Sequence, residues 1–139
     1  QSWQKVIDVN LTGTFLCGRE AALHMQENGG VIINMSSVSR AGNFGQSNYS
    51  ASKAGVASMV VTWARELSRY GIRVMGIAPG VIDTEMVATM AEKAKQKLYS
   101  SIPVKRLGQP PEVAKAVAFI LENEYLNGRV LELDGGLRL

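Results

Sequence analysis

Gly29-Gly30-Val31-Ile32-Ile33-Asn34-Met35-Ser36-Ser37 is the stretch that decides the fold. Two glycines close whatever precedes them, since glycine takes the backbone conformations that end a helix. A short, almost continuously apolar run follows, of the kind that suits a strand buried on both faces of a parallel sheet. Upstream, Trp3, Val6, Ile7, Leu11, Phe15 and Leu16 fall near i, i+3, i+4 spacing, which predicts a helix from Trp3 to Asn28. Downstream, a loop rich in Ser, Gly and Asn spans Ser36–Gln46, and a second helix is expected over Ser47–Tyr70, stopped by Gly71. Ile72–Ala78 reads as a second buried strand, halted by Pro79-Gly80. A segment with helical stretches covers Asp83–Leu107. Gln109-Pro110-Pro111-Glu112 opens another helix, with proline tolerated in the first turn, and that helix runs to Glu122. Arg129–Leu133 makes a third strand, ended by Gly135-Gly136. Helices alternating with strands predict an α/β domain, three parallel strands with flanking helices and right-handed crossovers.

The 139 residues amount to one domain, enough to bury a single core. Fifteen basic against twelve acidic residues leave a formal charge of +3. The basic residues are scattered and no aromatic side chains are interleaved with them, so no nucleic-acid partner is expected. No apolar run reaches the length of a membrane span. Cys17 is the only cysteine and His24 the only histidine, so neither an intrachain disulfide nor a metal-ligand cluster is expected. A reducing, cytoplasmic setting fits this composition.

The first residues already read as helix, with no leading strand. Three strands alone would leave an open edge, and such an edge is an aggregation liability. Both features lead to the expectation that an N-terminal portion is absent from this sequence.

Tyr49-Ser50-Ala51-Ser52-Lys53 carries the chemistry. Residues four apart share a helix face, so the Tyr49 hydroxyl and the Lys53 ammonium can project into one site. A free phenol, with a pKa of about 10, is a poor acid–base catalyst at neutral pH. A neighbouring ammonium and the positive end of a helix dipole both favour its ionised form. Alone, the pattern is weak and is better explained by a packed tyrosine and a solvated lysine.

Its context is more specific. Gly45-Gln46-Ser47-Asn48-Tyr49-Ser50-Ala51-Ser52-Lys53-Ala54-Gly55 resembles the active-site segment of the classical short-chain dehydrogenases/reductases. Asn10-Leu11-Thr12-Gly13, Asn34-Met35-Ser36-Ser37 and Pro79-Gly80-Val81-Ile82-Asp83-Thr84 are similar to further blocks of that family, in the family's order. The resemblance covers the whole chain, to Asp134-Gly135-Gly136. It implies the C-terminal half of a Rossmann-type, doubly wound parallel sheet and an oxidoreductase that uses NAD or NADP.

Carried over position by position, the resemblance implies that Tyr49 is the general acid/base at the substrate oxygen. Lys53 would assist Tyr49 and bond the nicotinamide ribose. Ser37 would orient the substrate oxygen, and Asn10 would hold a water that links Lys53 to solvent. Pro79-Gly80-Val81-Ile82 would lie along the nicotinamide, with the Ile82 backbone at its carboxamide and the Thr84 hydroxyl reaching the carboxamide or the phosphates. The implied substrate is a small carbonyl or alcohol. Gly42-Asn43-Phe44-Gly45-Gln46 is most similar to members that reduce 3-oxoacyl thioesters on acyl carrier protein or coenzyme A. Arg40 and Arg69 are candidates for contacting such a carrier, or plain surface charges. The family pairs its first two helices with those of a second subunit, which implies a homodimer or homotetramer.

Two departures stand out. The Ser37-to-Tyr49 spacing is one residue short of the family's, so Ser36 competes with Ser37 for the serine role; Ser37 aligns better from the strand side. The family's glycine-rich turn, its NAD-or-NADP selecting residue and its Asn-Ala-Gly segment have no counterpart here. The 139-residue chain alone is therefore expected to bind cofactor poorly and to be inactive. The competing reading is a truncated, non-catalytic fragment that serves only as a structural or assembly unit. Cys17 is expected to pack in its helix and His24 to be solvated or packed. Met86 and Met90 are expected to line a substrate lid or the core, and Ala91–Lys97 to form a solvated helix face.

Overall fold

A computed structural model describes residues 2–139. Three strands, β1 (Gly30–Met35), β2 (Ile72–Pro79) and β3 (Val130–Leu133), form a parallel sheet in the order β1-β2-β3. The helices are α1 (Trp3–Val6), α2 (Gly13–Met25), α3 (Ser47–Leu67), α4 (Glu85–Ala88), α5 (Glu92–Ser101) and α6 (Pro110–Glu122). A π-helical segment, Ile7–Thr12, joins α1 to α2 in one continuous run. Single 3-10 turns occupy Val38–Ala41 and Ser68–Tyr70.

The central strand explains the layers. Ile72 and Val74 point to one face of β2 and Met75 and Ile77 to the other, following the two-residue period of a strand. On the first face, α3 lays Val56, Val60 and Ala64 over the sheet at four-residue spacing. A Cβ on Gly76 would stand 3.1 Å from both Val60 and Val130, so glycine there lets α3 come close. Ile120 of α6 seals the second face with Ala116 and Val117. A third cluster, Ile102, Leu107 and Leu137, packs the α4–α5 region against the C-terminal tail. Both sheet faces are covered, as near-continuous apolar strands require. No helix among the described residues is long and apolar enough to cross a membrane.

Register aligns the C-terminal strand ends. Gly30 pairs with Ile72 and Met35 with Ile77, while Pro79 pairs with Leu133. The Ser36 amide donates to the Ile77 carbonyl at 2.8 Å, and the Gly80 amide to the Leu133 carbonyl at 2.9 Å. Ser37 and Pro79-Gly80 therefore leave the same edge of the sheet.

The first helix departs from its expected pattern. The α-helix ends at Met25 rather than Asn28, and the π segment interrupts the apolar stripe. A π turn holds more residues than an α turn, so it rotates everything beyond it relative to α-helical spacing. Val6 is buried, but Trp3, Phe15 and Leu16 remain 54%, 43% and 44% exposed. Cys17 is exposed rather than packed. It lines a groove of about 540 Å³ between α2 and β1, on the open edge of the sheet. His24 is exposed, and its Nδ1–H donates to the Glu20 carbonyl at 2.8 Å. Met86 is also exposed, which removes core packing as its role.

Candidate active site

A tight turn launches the helix that bears Tyr49 and Lys53. The Gln46 amide donates to the Asn43 carbonyl at 3.1 Å, and Gly45 takes a φ of 77°, the left-handed region that favours glycine. The Gln46 side-chain oxygen accepts from Asn43 Nδ2 at 2.7 Å and from the Ser39 hydroxyl at 3.1 Å. Gln46 thus ties the turn after Ser37 to the start of α3. Phe44 stands at the tip of the turn, fully exposed.

Tyr49 lies in the first turn of α3 and Lys53 one turn later. The Lys53 ammonium sits 5.7 Å from the centroid of the Tyr49 ring. It donates to the Met35 carbonyl, at the end of β1, across 3.0 Å. Partial burial holds the Lys53 pKa below its ordinary value, because desolvation penalises the charged form. An ammonium has three protons, so Lys53 retains donors for a further ligand.

The two serines are held differently. Both are buried. Ser36 Oγ donates to the Lys53 carbonyl at 2.7 Å, which commits its only proton to the helix. Ser37 Oγ accepts from the Ser39 amide at 3.1 Å as the cap of the 3-10 turn. That bond uses a lone pair and leaves the Ser37 proton able to donate.

Asn10 lies within the π segment, and its side-chain amide donates to Ser52 Oγ at 3.2 Å. Ser52 Oγ donates in turn to the Tyr49 carbonyl at 2.7 Å. The Thr14 hydroxyl donates to the Asn10 carbonyl at 2.7 Å. Asn10 faces two openings: the groove it shares with Met35 and Lys53, and a cleft of about 650 Å³ that it shares with Gln46 and Tyr49.

The structure therefore brings Asn10, Ser36, Ser37, Tyr49 and Lys53 together around the first turns of α3. Ile82 and Thr84 lie on the segment leaving β2, and no hydrogen bond among the described residues joins them to the Tyr49–Lys53 group. Ile82 forms a parallel bridge with Gly108, in which Gly108 N donates to Val81 O at 3.0 Å and Asp83 N to Gly108 O at 2.8 Å. Backbone groups alternate along an extended segment, so the N–H and C=O of Ile82 itself face the opposite side. Thr84 is exposed at the cap of α4. Arg40 is ion-paired with Glu132 at 3.2 Å, and Arg69 stacks on Tyr70 with its guanidinium carbon 4.7 Å from the ring centroid.

Free donors on Lys53 and outward backbone groups at Ile82 fit the nicotinamide and ribose half of a dinucleotide. The sequence has no Gly-x-Gly-x-x-Gly turn for the pyrophosphate. Ser52, Thr14 and Gln46 were not singled out from the sequence. Ser52 and Gln46 lie inside the quoted active-site block, but only contact with Asn10 and Ser39 reveals what they do. The Met35 carbonyl carries no side-chain signal at all.

Residues 1–138 match the family model described as enoyl-(acyl carrier protein) reductase. The chain is 46% identical over 142 residues to a (3R)-3-hydroxyacyl-CoA dehydrogenase of Rattus norvegicus, covering 99% of this chain and 55% of the relative. It is 45% identical to a 3-oxoacyl-(acyl-carrier-protein) reductase of Thermotoga maritima, covering 99% and 57% respectively. Among solved structures, a 3-hydroxyacyl-CoA dehydrogenase type-2 from Mycobacterium avium superposes with a TM-score of 0.94 at 39% identity, over 99% of this chain and 57% of that one. The chain spans about half the length of the relatives it matches.

Proposed function

Since the chain belongs to the short-chain dehydrogenase/reductase family, we propose that the protein carrying it is a nicotinamide-dependent oxidoreductase that interconverts a carbonyl and an alcohol on an acyl thioester. The observation that carries this reading is the Tyr49–Lys53 pair, one helical turn apart with the ammonium 5.7 Å from the ring and the Asn10 amide tied to the same turn. The thioester, on coenzyme A or acyl carrier protein, is taken from the names of relatives that cover nearly the whole chain.

A bound NAD or NADP would supply or accept hydride. Lys53 would hold the ribose with the protons it does not give to Met35, and the Ile82 backbone would bond the carboxamide. Thr84, at the mouth of the same segment, would add a hydroxyl contact. Pro79-Gly80 ends the strand where open α/β sheets place their ligands. Ser37 would donate its free proton to the substrate oxygen. Ser36 is the weaker candidate, because its proton is committed to Lys53 O. Tyr49 would give its proton to the same oxygen as negative charge develops there. Lys53 and an Asn10-held water would return a proton to Tyr49.

The exposed Phe15, Leu16 and Leu23 on α2 and Val61 on α3 fit a symmetric pairing of these helices with a second copy. Sedimentation showing only monomer at micromolar concentration would remove the pairing.

The decisive test uses the full-length enzyme with acetoacetyl-CoA and NADH or NADPH. Tyr49→Phe should lower turnover by about a hundredfold or more while sparing cofactor affinity. Undiminished turnover would show that Tyr49 is not the acid/base.

A further inference from the structure

We infer that Ser52 is a positioning residue of this site, whose hydroxyl sets the direction in which the Asn10 amide faces; the inference rests on the oxidoreductase reading above. Ser52 is fully buried in α3, with 0% of its surface exposed. A serine hydroxyl has one proton and two lone pairs. Ser52 gives that proton to the Tyr49 carbonyl at 2.7 Å. Only lone pairs remain on the side toward Asn10, and only an N–H can satisfy them. Asn10 answers with Nδ2 at 3.2 Å.

An amide end is planar, with oxygen and nitrogen on opposite branches. Fixing Nδ2 against Ser52 turns Oδ1 away from α3. A flipped amide would press its oxygen against the Ser52 lone pairs in a buried site, where such repulsion is poorly screened. The main-chain carbonyl of Asn10 already accepts from Thr14 at 2.7 Å. That bond uses one of the carbonyl's two lone pairs, so Oδ1 is a further acceptor that Asn10 can offer to a water in the openings it shares with Lys53 and Tyr49. Ser52 also couples that choice to Tyr49, since the proton that orients the amide ends on the Tyr49 carbonyl. Ser52 has no exposed surface and acts through Asn10.

The test compares Ser52→Ala and Ser52→Thr in the full-length enzyme, reducing acetoacetyl-CoA with NADH or NADPH. Ser52→Ala should lower kcat by about tenfold or more, since small misplacements of a site group cost at least that. KM should change by no more than about twofold and the pH midpoint of kcat should move. Ser52→Thr, which keeps the hydroxyl, should recover most of the loss. A second readout does not depend on turnover: the Asn10 side-chain amide protons, slow to exchange in the parent by NMR, should exchange faster in Ser52→Ala. Retained kcat, pH midpoint and amide protection in Ser52→Ala would overturn the inference. Equal losses in both variants with Asn10 protection intact would overturn it too, because that pattern means packing alone. If the parent enzyme reduces no carbonyl substrate, the oxidoreductase reading fails, and Asn10 protection in Ser52→Ala still decides the role of Ser52.

Discussion

The Lys53 ammonium donates to the Met35 carbonyl across 3.0 Å, while Ser36 Oγ donates back to the Lys53 carbonyl at 2.7 Å. These two bonds cross between β1 and α3 in opposite directions and fix the helix bearing Tyr49 against the strand leading to Ser37. Lys53 is thus both a member of the candidate site and a partly buried cation that the fold must accommodate.

That double role predicts a trade between stability and activity. Burial lowers the folded-state pKa of Lys53 below 10.5. For a group depressed on folding, the associated stability is present above the unfolded value and is lost as pH falls through the folded one. At neutral pH the folded protein therefore bears the cost of the partly buried charge. Lys53→Met removes that charge, and water can replace it at the carbonyl of the exposed Met35. Paired urea titrations should show Lys53→Met more stable than the parent at neutral pH, with the gap narrowing as pH approaches 10.5. Turnover should fall steeply in the same variant. A stability gap that stays constant with pH would mean that the charge is not what costs the fold.

Arg73 predicts a loss of stability far from the site. From β2 its guanidinium donates to the carbonyls of Ile120 at 2.9 Å, Asn123 at 3.3 Å and Leu126 at 2.8 Å. It thereby satisfies the C-terminal end of α6, where carbonyls lack partners and a cation is favoured by the helix dipole. Arg73→Met should lower unfolding free energy by about 2 kcal/mol or more, since bonds to a charged donor are each worth about that. The check is the urea midpoint, and a change under about 0.5 kcal/mol, the size of an ordinary surface substitution, would show that solvent takes over these carbonyls.

The three parallel strands and most of their limits were legible because buried parallel strands leave continuous apolar runs and glycine or proline marks many of their ends. Val31–Met35 and Ile72–Ala78 both carry that signature. The π segment was not legible, because nothing in Ile7–Thr12 distinguishes a five-residue hydrogen-bond step from a four-residue one. Cys17 was misplaced for the same reason, since its facing depends on that rotation. Within the candidate site, helix spacing puts Tyr49 and Lys53 on one face of α3, and only the resemblance of the block around them marked the pair out. Ser37 was preferred over Ser36 from the strand side alone; the bonds that set the two hydroxyls apart are not recorded in a sequence. Ser52 was passed over because a small polar residue inside a helix carries no mark of its partners across the chain.

Glu112 gives a prediction with a defined pH window. Its carboxylate takes two hydrogen bonds from Arg106, at 2.7 and 3.0 Å, and one from the Gln109 amide at 3.0 Å. Bonding to Arg106, then to the Gln109 backbone, pulls its pKa down from 4.5 to about 2. Stability from this group is thus complete above 4.5 and disappears as pH falls through about 2. Glu112→Gln can still accept from the Gln109 amide at the start of α6 but loses the charge and the second oxygen that receive Arg106. The melting temperature of Glu112→Gln should lie below that of the parent at neutral pH, and the two should converge as pH drops through that window. The pair is exposed, so molar salt should narrow the gap at neutral pH as well. The same pair brackets Leu107-Gly108, and Gly108 holds Ile82 in its extended bridge. Loosening it should therefore raise the KM for the nicotinamide cofactor more than it lowers kcat. An unchanged cofactor KM beside a lowered melting temperature would confine Glu112 to the helix start and leave the Ile82 segment independent of it.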